Sequence, residues 1–267
     1  MDLQEITPLI LTFNEKQNIA RTLSGLSWAR EIVLIDSGST DGTVELAQRV
    51  HPNVRVTTRP FDNHTDQWNF GLDQVRTDWV LSIDADYLLG PEFVSEIESL
   101  QPHENVSGYS AEFRYCIKGV PLRASVYPPR TVLFRRDSSR YYDDGHTQRL
   151  RTDGVVSNLQ SKIDHDDRKP FGRWFREQKR YAKIEAKYLL ESRKAKVGSR
   201  KQELPLQDKL RLMIFLAPPA MLFYLLFVRG LILDGWPGCV YTVQRILAEV
   251  LLSWRLVVEK VKLGSRK

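Results

Sequence analysis

Two carboxylates one residue apart, Asp84 and Asp86 around Ala85, close the apolar run Trp79-Val-Leu-Ser-Ile83. Carboxylate oxygens are hard ligands suited to Mg2+ or Mn2+ held through a ligand's phosphates. A cation there would stabilise the charge that develops on a departing nucleoside diphosphate. An isolated Asp-x-Asp is ordinary turn or cap chemistry; its place at the end of an apolar run points to metal or diphosphate binding. Two earlier runs end the same way, Ile10-Leu-Thr-Phe-Asn-Glu15 and Ile32-Val-Leu-Ile-Asp36, the second continuing into Ser37-Gly-Ser-Thr-Asp-Gly-Thr43. Asp36 is placed to accept hydrogen bonds from a nucleobase or ribose. Ser37 to Thr43 offers small residues, backbone N–H groups and a helix N-terminus, which suit phosphate or ribose. An ordinary strand–turn–helix junction explains the same Asp and Gly residues, and Asn14 doubles as an N-cap.

These residues need rigid elements behind them. An apolar run that stops on polar residues is how a buried parallel strand looks when its carboxyl end opens into a ligand crevice. Strands are expected over Pro8–Phe13, Glu31–Ile35, Val54–Val56 and Trp79–Ile83, alternating with helices that carry Ile19, Leu23 and Leu26, then Val44, Leu46, Ala47 and Val50, then Gln67–Val75, then a helix begun by Pro91. That alternation predicts an α/β fold with a mostly parallel sheet. After about Glu104 the pattern becomes loop-rich and reads as antiparallel, with strands over Val106–Lys118, Thr131–Arg135 and, more weakly, Val155–Leu159. Phe171–Leu190 reads as a long helix with an aromatic face, and Lys194–Pro205 as a charged linker.

Composition bounds the rest. At 267 residues and 31.0 kDa the chain is long enough for a full core, and 42% apolar with 27% charged residues excludes a disordered polymer. Two cysteines, Cys116 and Cys239, imply neither a disulfide framework nor a zinc site. The first residues lack the basic and apolar regions of a signal peptide, so the expectation is a protein that stays where it is made. Formal net charge is +6, yet Arg168–Arg211 holds 15 Lys or Arg against 5 Asp or Glu, leaving the remainder slightly acidic. A basic block beside the apolar stretch Leu212–Val228 suggests an anionic membrane surface. No nucleic-acid-binding signature accompanies it. About 17 residues broken by Pro218-Pro219 is short for a span. Val240–Val261 sets Val243, Leu247, Val250, Leu251, Trp254, Val257 and Val261 on one helical face, and the later Lys and Arg residues oppose export. A kinked hairpin or in-plane helices are therefore expected.

Thr12-Phe-Asn-Glu15, Asp36–Thr43, Gln67-Trp-Asn69 and Asp84-Ala-Asp86 together resemble the inverting family 2 glycosyltransferases of GT-A fold. His146, Arg149-Leu150, Ile163-Asp-His165, Tyr181-Ala182 and Leu233-Asp-Gly-Trp-Pro-Gly238 resemble the branch that builds lipopolysaccharide cores and related envelope glycans. The resemblance implies a Rossmann-like sheet with helices on both faces, followed by C-terminal membrane-associating helices. It divides the chain into a nucleotide-sugar half (1–105), an acceptor-side half (106–167), a basic amphipathic helix and linker (168–205) and a helical tail (206–267). It implies transfer from a nucleotide sugar, a UDP-sugar by family habit, to a lipid-linked or envelope-glycan acceptor on the cytoplasmic face of the inner or plasma membrane.

By position, Thr12, Asn14, Glu15, Asp36, Ser37 and Asp41 would meet the nucleoside, Gln67 and Asn69 the donor region, Asp84 and Ala85 the diphosphate, and Asp86 the Mn2+ or Mg2+. His165 would complete the metal site or touch the diphosphate, against a plain solvated loop histidine. Tyr127, Arg130 and Arg135 would line the acceptor side. The branch usually carries His-Glu where this chain has His146-Thr147, so Asp144 and His146 stand as the candidate base, with Asp143 nearby. The missing acid also admits a catalytically degenerate membrane-bound scaffold that binds nucleotide sugar. A nucleotidyltransferase would need a Gly-rich basic loop after the first strand, which Thr12-Phe-Asn-Glu15 does not supply.

Overall fold

Strand register is what brings the polar strand ends together. The computed structural model describes residues 1–144, 147–195 and 206–264, and these fall into two compact units. One comprises Met1–Pro121 with Val126–Lys169, the other Leu122–Ser125 with the described part of Pro170–Lys267.

In the first unit the strands are β1 (Ile6–Thr12), β2 (Ile32–Asp36), β3 (Val54–Thr58), β4 (Trp79–Asp84), β5 (Tyr87–Leu88), β6 (Val106–Ala111), β7 (Phe113–Ile117), β8 (Val120–Pro121), β9 (Arg130–Arg135), β10 (Ser139–Asp144), β11 (Thr147–Thr152), β12 (Val155–Asn158) and β13 (Ile163–His165). Helices α1 (Ile19–Ser24), α2 (Thr43–Val50), α3 (His64–Gln74) and α4 (Pro91–Ser99) connect the early strands. A seven-stranded sheet runs β12-β6-β9-β4-β1-β2-β3. Within it β1 is parallel to β2 and β4, β2 to β3, and β12 to β6, while β9 runs against both of its neighbours. The pairs Thr12↔Asp36 and Leu11↔Asp84 set the three strand ends on one edge.

Alternation along the strands divides the core. Ile6, Ile10, Ile32, Leu34, Leu81 and Ile83 pack with Leu23 of α1, Ala47 of α2 and Phe93 and Ile97 of α4. Leu9, Val33, Ile35 and Val80 pack on the other face with Trp68 and Leu72 of α3. Helices therefore cover both faces, and each side chain sealed in this way contributes about 1.5–3 kcal/mol. At Gly71, α3 comes so close to the sheet that a Cβ would stand 2.7 Å from Leu9 Cδ1.

Several expectations are corrected. α3 begins at His64, capped by Asn63, whose Oδ1 accepts from Asp66 N–H at 2.8 Å. Asn14 does not cap α1: Asn18 holds the N-cap position, and Asn14 has a left-handed backbone with φ 56°. The run Val106–Lys118 breaks at Glu112 into β6 of the large sheet and β7 of a four-stranded sheet ordered β5-β13-β7-β8. Between Arg135 and Val155, where no strand was expected, lies the antiparallel pair β10–β11, whose Tyr141 and Leu150 cover the α3 side of the core.

The second unit contains α5 (Phe171–Ala195), α6 (Leu206–Leu212), α7 (Ala217–Phe223) and α8 (Trp236–Gly264), with a π turn at Tyr224–Val228 and a 3-10 turn at Leu231–Asp234. Ala182, Ala186, Leu189 and Leu190 of α5 pack against Leu252 and Leu256 of α8. Buried Glu249 anchors Arg211 at 2.8 Å. The apolar stretch Leu212–Val228 is interrupted by Ile214 at φ 61° and by the short α7, and no described helix is long and apolar enough to cross a membrane. On α8 the predicted apolar stripe faces outward at Val243, Val250, Trp254 and Val261, with Trp254 67% exposed.

Candidate active site

Two loops that leave neighbouring strand ends are stitched into one wall. Asp36 Oδ1 accepts from Thr12 Oγ1 at 2.9 Å and Ser39 Oγ at 2.6 Å, and Oδ2 accepts from the N–H groups of Gly38 at 2.9 Å and Ser39 at 2.7 Å. A carboxylate has about four lone-pair sites, so buried Asp36 spends its capacity on shaping the loop. Asn14 donates its N–H to Ser39 Oγ at 2.8 Å and accepts Thr40 N–H on Oδ1 at 2.8 Å, which explains its left-handed backbone. Glu15 N–H reaches Thr43 Oγ1 at 2.8 Å, and Lys16 N–H reaches Asp41 Oδ2 at 3.2 Å. Desolvation pushes the Asp41 carboxyl up, but the Thr43 hydroxyl and the backbone N–H groups of Lys16, Thr43 and Asp41 itself hold it below the usual range. Ser37 joins the wall through Gln67, whose Nε2 donates to Ser37 Oγ at 3.1 Å. Asn69 points elsewhere: its amide brackets the backbone of Tyr141 at 2.9 Å on both sides and clamps β10.

The two carboxylates after β4 sit in different surroundings. Asp84 is half-exposed, with Arg130 Nη1 3.9 Å from its Oδ2. The Arg130 guanidinium lies 4.9 Å over the Tyr127 ring, and the hydroxyls of Tyr127 and Tyr87 share a 2.6 Å hydrogen bond. Ala85 is held from below, its carbonyl accepting from Thr22 Oγ1 of α1 at 2.6 Å. Asp86 is buried, its Oδ2 3.5 Å from both His165 Nε2 and Lys169 Nζ. Burial would raise its carboxyl; the neighbouring His165 imidazole and Lys169 ammonium overcome that and hold it well below the usual range. His165 is enclosed by Tyr87, Tyr115 and Tyr127 at ring distances of 5.3, 4.9 and 4.9 Å. Burial disfavours its charge, yet Asp86 raises it above an ordinary histidine. It is not a solvated loop residue.

Lys169 is the neighbour of these carboxylates that sequence reasoning missed. Its Nζ lies 3.0 Å from Glu15 Oε1, 3.5 Å from Asp86 Oδ2 and 3.4 Å from Asp167 Oδ1. Fully buried Asn18 ties the same group together, donating to Glu15 Oε2 at 2.9 Å and Asp167 Oδ1 at 3.0 Å. Glu15 is raised first by burial, with Lys169 pulling the other way. The only available signal was a charge-dense run, Asp164–Lys169, overlapping the short β13, and such a run ordinarily reads as a solvated loop. His146 and the side chain of Asp144 lie outside the described residues. Asp143 accepts from Thr65 Oγ1 and so ties β10 to α3.

Open α/β sheets place ligand crevices at the carboxyl ends of parallel strands, and this sheet delivers carboxylates and backbone N–H groups to that edge. The model of the family described as Glycosyl transferase family 2 matches residues 9–185, and the chain belongs to that family, with a GT-A-like α/β fold. It is 33% identical over 163 residues to an uncharacterized glycosyltransferase of Rickettsia typhi, covering 58% of this chain and 54% of that one. It is 29% identical over 147 residues to the lipopolysaccharide core biosynthesis glycosyltransferase LpsC of Rhizobium meliloti, covering 51% and 53%. The chain spans about half the length of the curated relatives it matches. Among solved structures, Staphylococcus aureus TarS in complex with UDP-GlcNAc aligns with a TM-score of 0.45 at 14% identity, over 97% of this chain and 92% of that one.

Proposed function

We propose that this chain is an inverting glycosyltransferase that moves a sugar from a nucleoside-diphosphate donor, a UDP-sugar, to a lipid-linked or envelope-glycan acceptor. The observation that carries the reading is the convergence of Thr12, Asp36, Asp84 and Asp86 at one sheet edge in a family 2 chain. The lipopolysaccharide-core name of one relative supports the acceptor class.

Asp86 Oδ1 and His165 Nδ1 are buried without a hydrogen-bond partner among the described residues. With Asp84 they form a carboxylate–imidazole donor set that fits Mn2+ or Mg2+, although no three such side chains already stand at ligand spacing among the described residues. When bound, the ion would supply Lewis-acid stabilisation of the leaving diphosphate. The protein's own groups do the rest. The stitched Asn14–Thr43 wall orients the nucleoside, the Asp36 clasp keeps that wall rigid, and Arg130 offers positive charge beside Asp84. A base from the 106–167 half, Asp144 or His146, takes the acceptor proton as the hydroxyl attacks in line and inverts the anomeric carbon.

The test is nucleoside diphosphate release from a panel of nucleotide sugars with Mn2+ or Mg2+, beside Asp86→Ala. Release from one donor, abolished by a chelator and reduced about 100-fold or more in the variant, is expected. Absence of both release and nucleotide binding overturns the reading. Thr147 in place of the branch's Glu favours a second reading, a nucleotide-sugar-binding scaffold, which binding without turnover on any acceptor would select.

We also propose that 206–267, with the basic helix before it, lies in the plane of an anionic bilayer on its cytoplasmic face. The outward stripe of α8 is flanked by Arg245, Arg255 and Lys262, Phe215 is 82% exposed, and exposed Arg176, Lys179, Arg180, Lys183 and Lys187 line α5. Apolar and aromatic side chains beside cations match a lipid surface of opposite charge, whereas pairing two copies by this face would oppose like charges. Cosedimentation with anionic but not neutral vesicles, weakened by Phe215→Ser with Trp254→Ser, is expected. Concentration-dependent dimers that ignore vesicles would refute it.

A further inference from the structure

Lys169 stands where three carboxylates from three separate segments meet: Glu15 after β1, Asp86 after β4 and Asp167 after β13. The ammonium is 3.0–3.5 Å from one oxygen of each and only 13% exposed. An ammonium at this spacing offsets the mutual repulsion of three carboxylates gathered in a largely buried site. Their remaining oxygens are not equivalent. Glu15 Oε2 is taken by Asn18, and Asp167 Oδ1 accepts from Asn18 and from the Lys169 N–H at 2.9 Å. Asp86 Oδ1 alone among these three side chains is buried with no hydrogen-bond partner among the described residues. Asp86 is thus shared: one oxygen faces the resident ammonium, and the other is left for an incoming group.

We propose that Lys169 is the resident cation of the donor site and holds divalent ions off that site until a nucleoside diphosphate arrives. This rests on the glycosyltransferase reading above. With the ammonium in place the three carboxylates present one charge less to an ion, and the ion must approach a fixed positive charge. At the effective dielectric of such sites that repulsion weakens ion binding by about tenfold or more. A diphosphate brings the negative charge that offsets it. The ion then enters as part of the donor complex, and free ions do not lock the wall formed by Asn14–Thr43 in an unproductive state. Lys169 is a positioning residue in this scheme: it acts through Asp86 and Glu15 and takes no proton in the reaction.

The experiment measures Mn2+ affinity of the full chain at fixed pH, by electron paramagnetic resonance of free Mn2+, with and without UDP. Wild type is expected to bind Mn2+ at least about tenfold more tightly with UDP than without it. Lys169→Met is expected to bind Mn2+ alone about tenfold more tightly than wild type does, while Lys169→Arg, which keeps the charge, behaves as wild type. A purely structural lysine would lower the melting temperature of Lys169→Met without tightening Mn2+, and that result overturns the proposal. So does wild-type protein that binds Mn2+ equally well with and without bound UDP. If Lys169→Met does not fold, the wild-type comparison and Lys169→Gln decide. If UDP does not bind any variant yet Lys169→Met still gains Mn2+ affinity, the ion-excluding role of Lys169 stands and the choice of a UDP-sugar as donor falls.

Discussion

Asp36 offers the sharpest quantitative prediction, because its side chain is almost wholly occupied by protein donors. It accepts four hydrogen bonds while only 2% exposed, two from the hydroxyls of Thr12 and Ser39 and two from the N–H groups of Gly38 and Ser39. A hydrogen bond to a charged group is worth about 1.5–3 kcal/mol and a neutral one about 0.5–1.5. In Asp36→Asn the amide oxygen keeps both N–H donors, and the amide N–H2 turns to the hydroxyls, which reverse to accept. Each bond then drops by about 1 kcal/mol. Gly38 is exposed and Ser39 half-buried, so water softens part of that loss. The expected cost is about 2 kcal/mol for Asp36→Asn. Asp36→Ala removes all four bonds and strands the buried Thr12 hydroxyl, for about 4 kcal/mol. Native-state hydrogen exchange of the Leu11 and Ile35 amides reads the stability of this sheet directly. Equal losses in the two variants, or a loss below about 0.5 kcal/mol in Asp36→Asn, would refute the account of Asp36 as a fully engaged clasp.

Gly71→Ala should destabilise by about 1–3 kcal/mol despite the better helix propensity of alanine, because its Cβ would meet Leu9 Cδ1 at 2.7 Å and Ile35 Cγ1 at 3.2 Å; an unchanged or higher melting temperature would contradict that packing. Glu96 accepts the N–H groups of Gln160 at 2.7 Å and Ser161 at 2.8 Å, and despite the desolvation that would raise it, these donors lower its carboxyl below 4.5. A depressed carboxyl contributes stability above its unfolded value and loses it as pH falls through its folded value. Glu96→Gln should therefore cost about 1 kcal/mol at neutral pH, given partial exposure. Below pH 4 the gap from wild type should shrink, and thermal melts across that range would show a constant gap if the charge were irrelevant.

The strands β1, β2 and β4 were legible because strands buried on both faces carry near-continuous apolar residues, and their terminal carboxylates stood out against that background. Other features needed three dimensions. Ser139–Asp144 is too polar to announce β10, yet Asn69 and Trp68 supply the partners that make it a strand. Asn14 looks like a cap by type, and only the approach of Ser39 and Thr40 shows why it turns left-handed. Lys169 lay hidden among charged neighbours, since its carboxylate partners Glu15 and Asp86 are remote in sequence. On α8 the helical period was readable, but which face packs was decided by the small residues Ala182 and Ala186 of α5.

The reversed direction of β9 carries a consequence for how such enzymes diversify. The parallel strands present their last residues at the carboxyl edge, whereas β9 presents its first, Arg130, which meets Asp84 there. The contacts proposed for the donor therefore travel with strand endings, and those proposed for the acceptor with a strand beginning. Under the proposed function, a lineage that lengthens or rewrites the segment before β9 would change its acceptor while β1, β2 and β4 keep their register. Exchanging that segment between family members is a route to enzymes that keep one sugar and accept a new recipient.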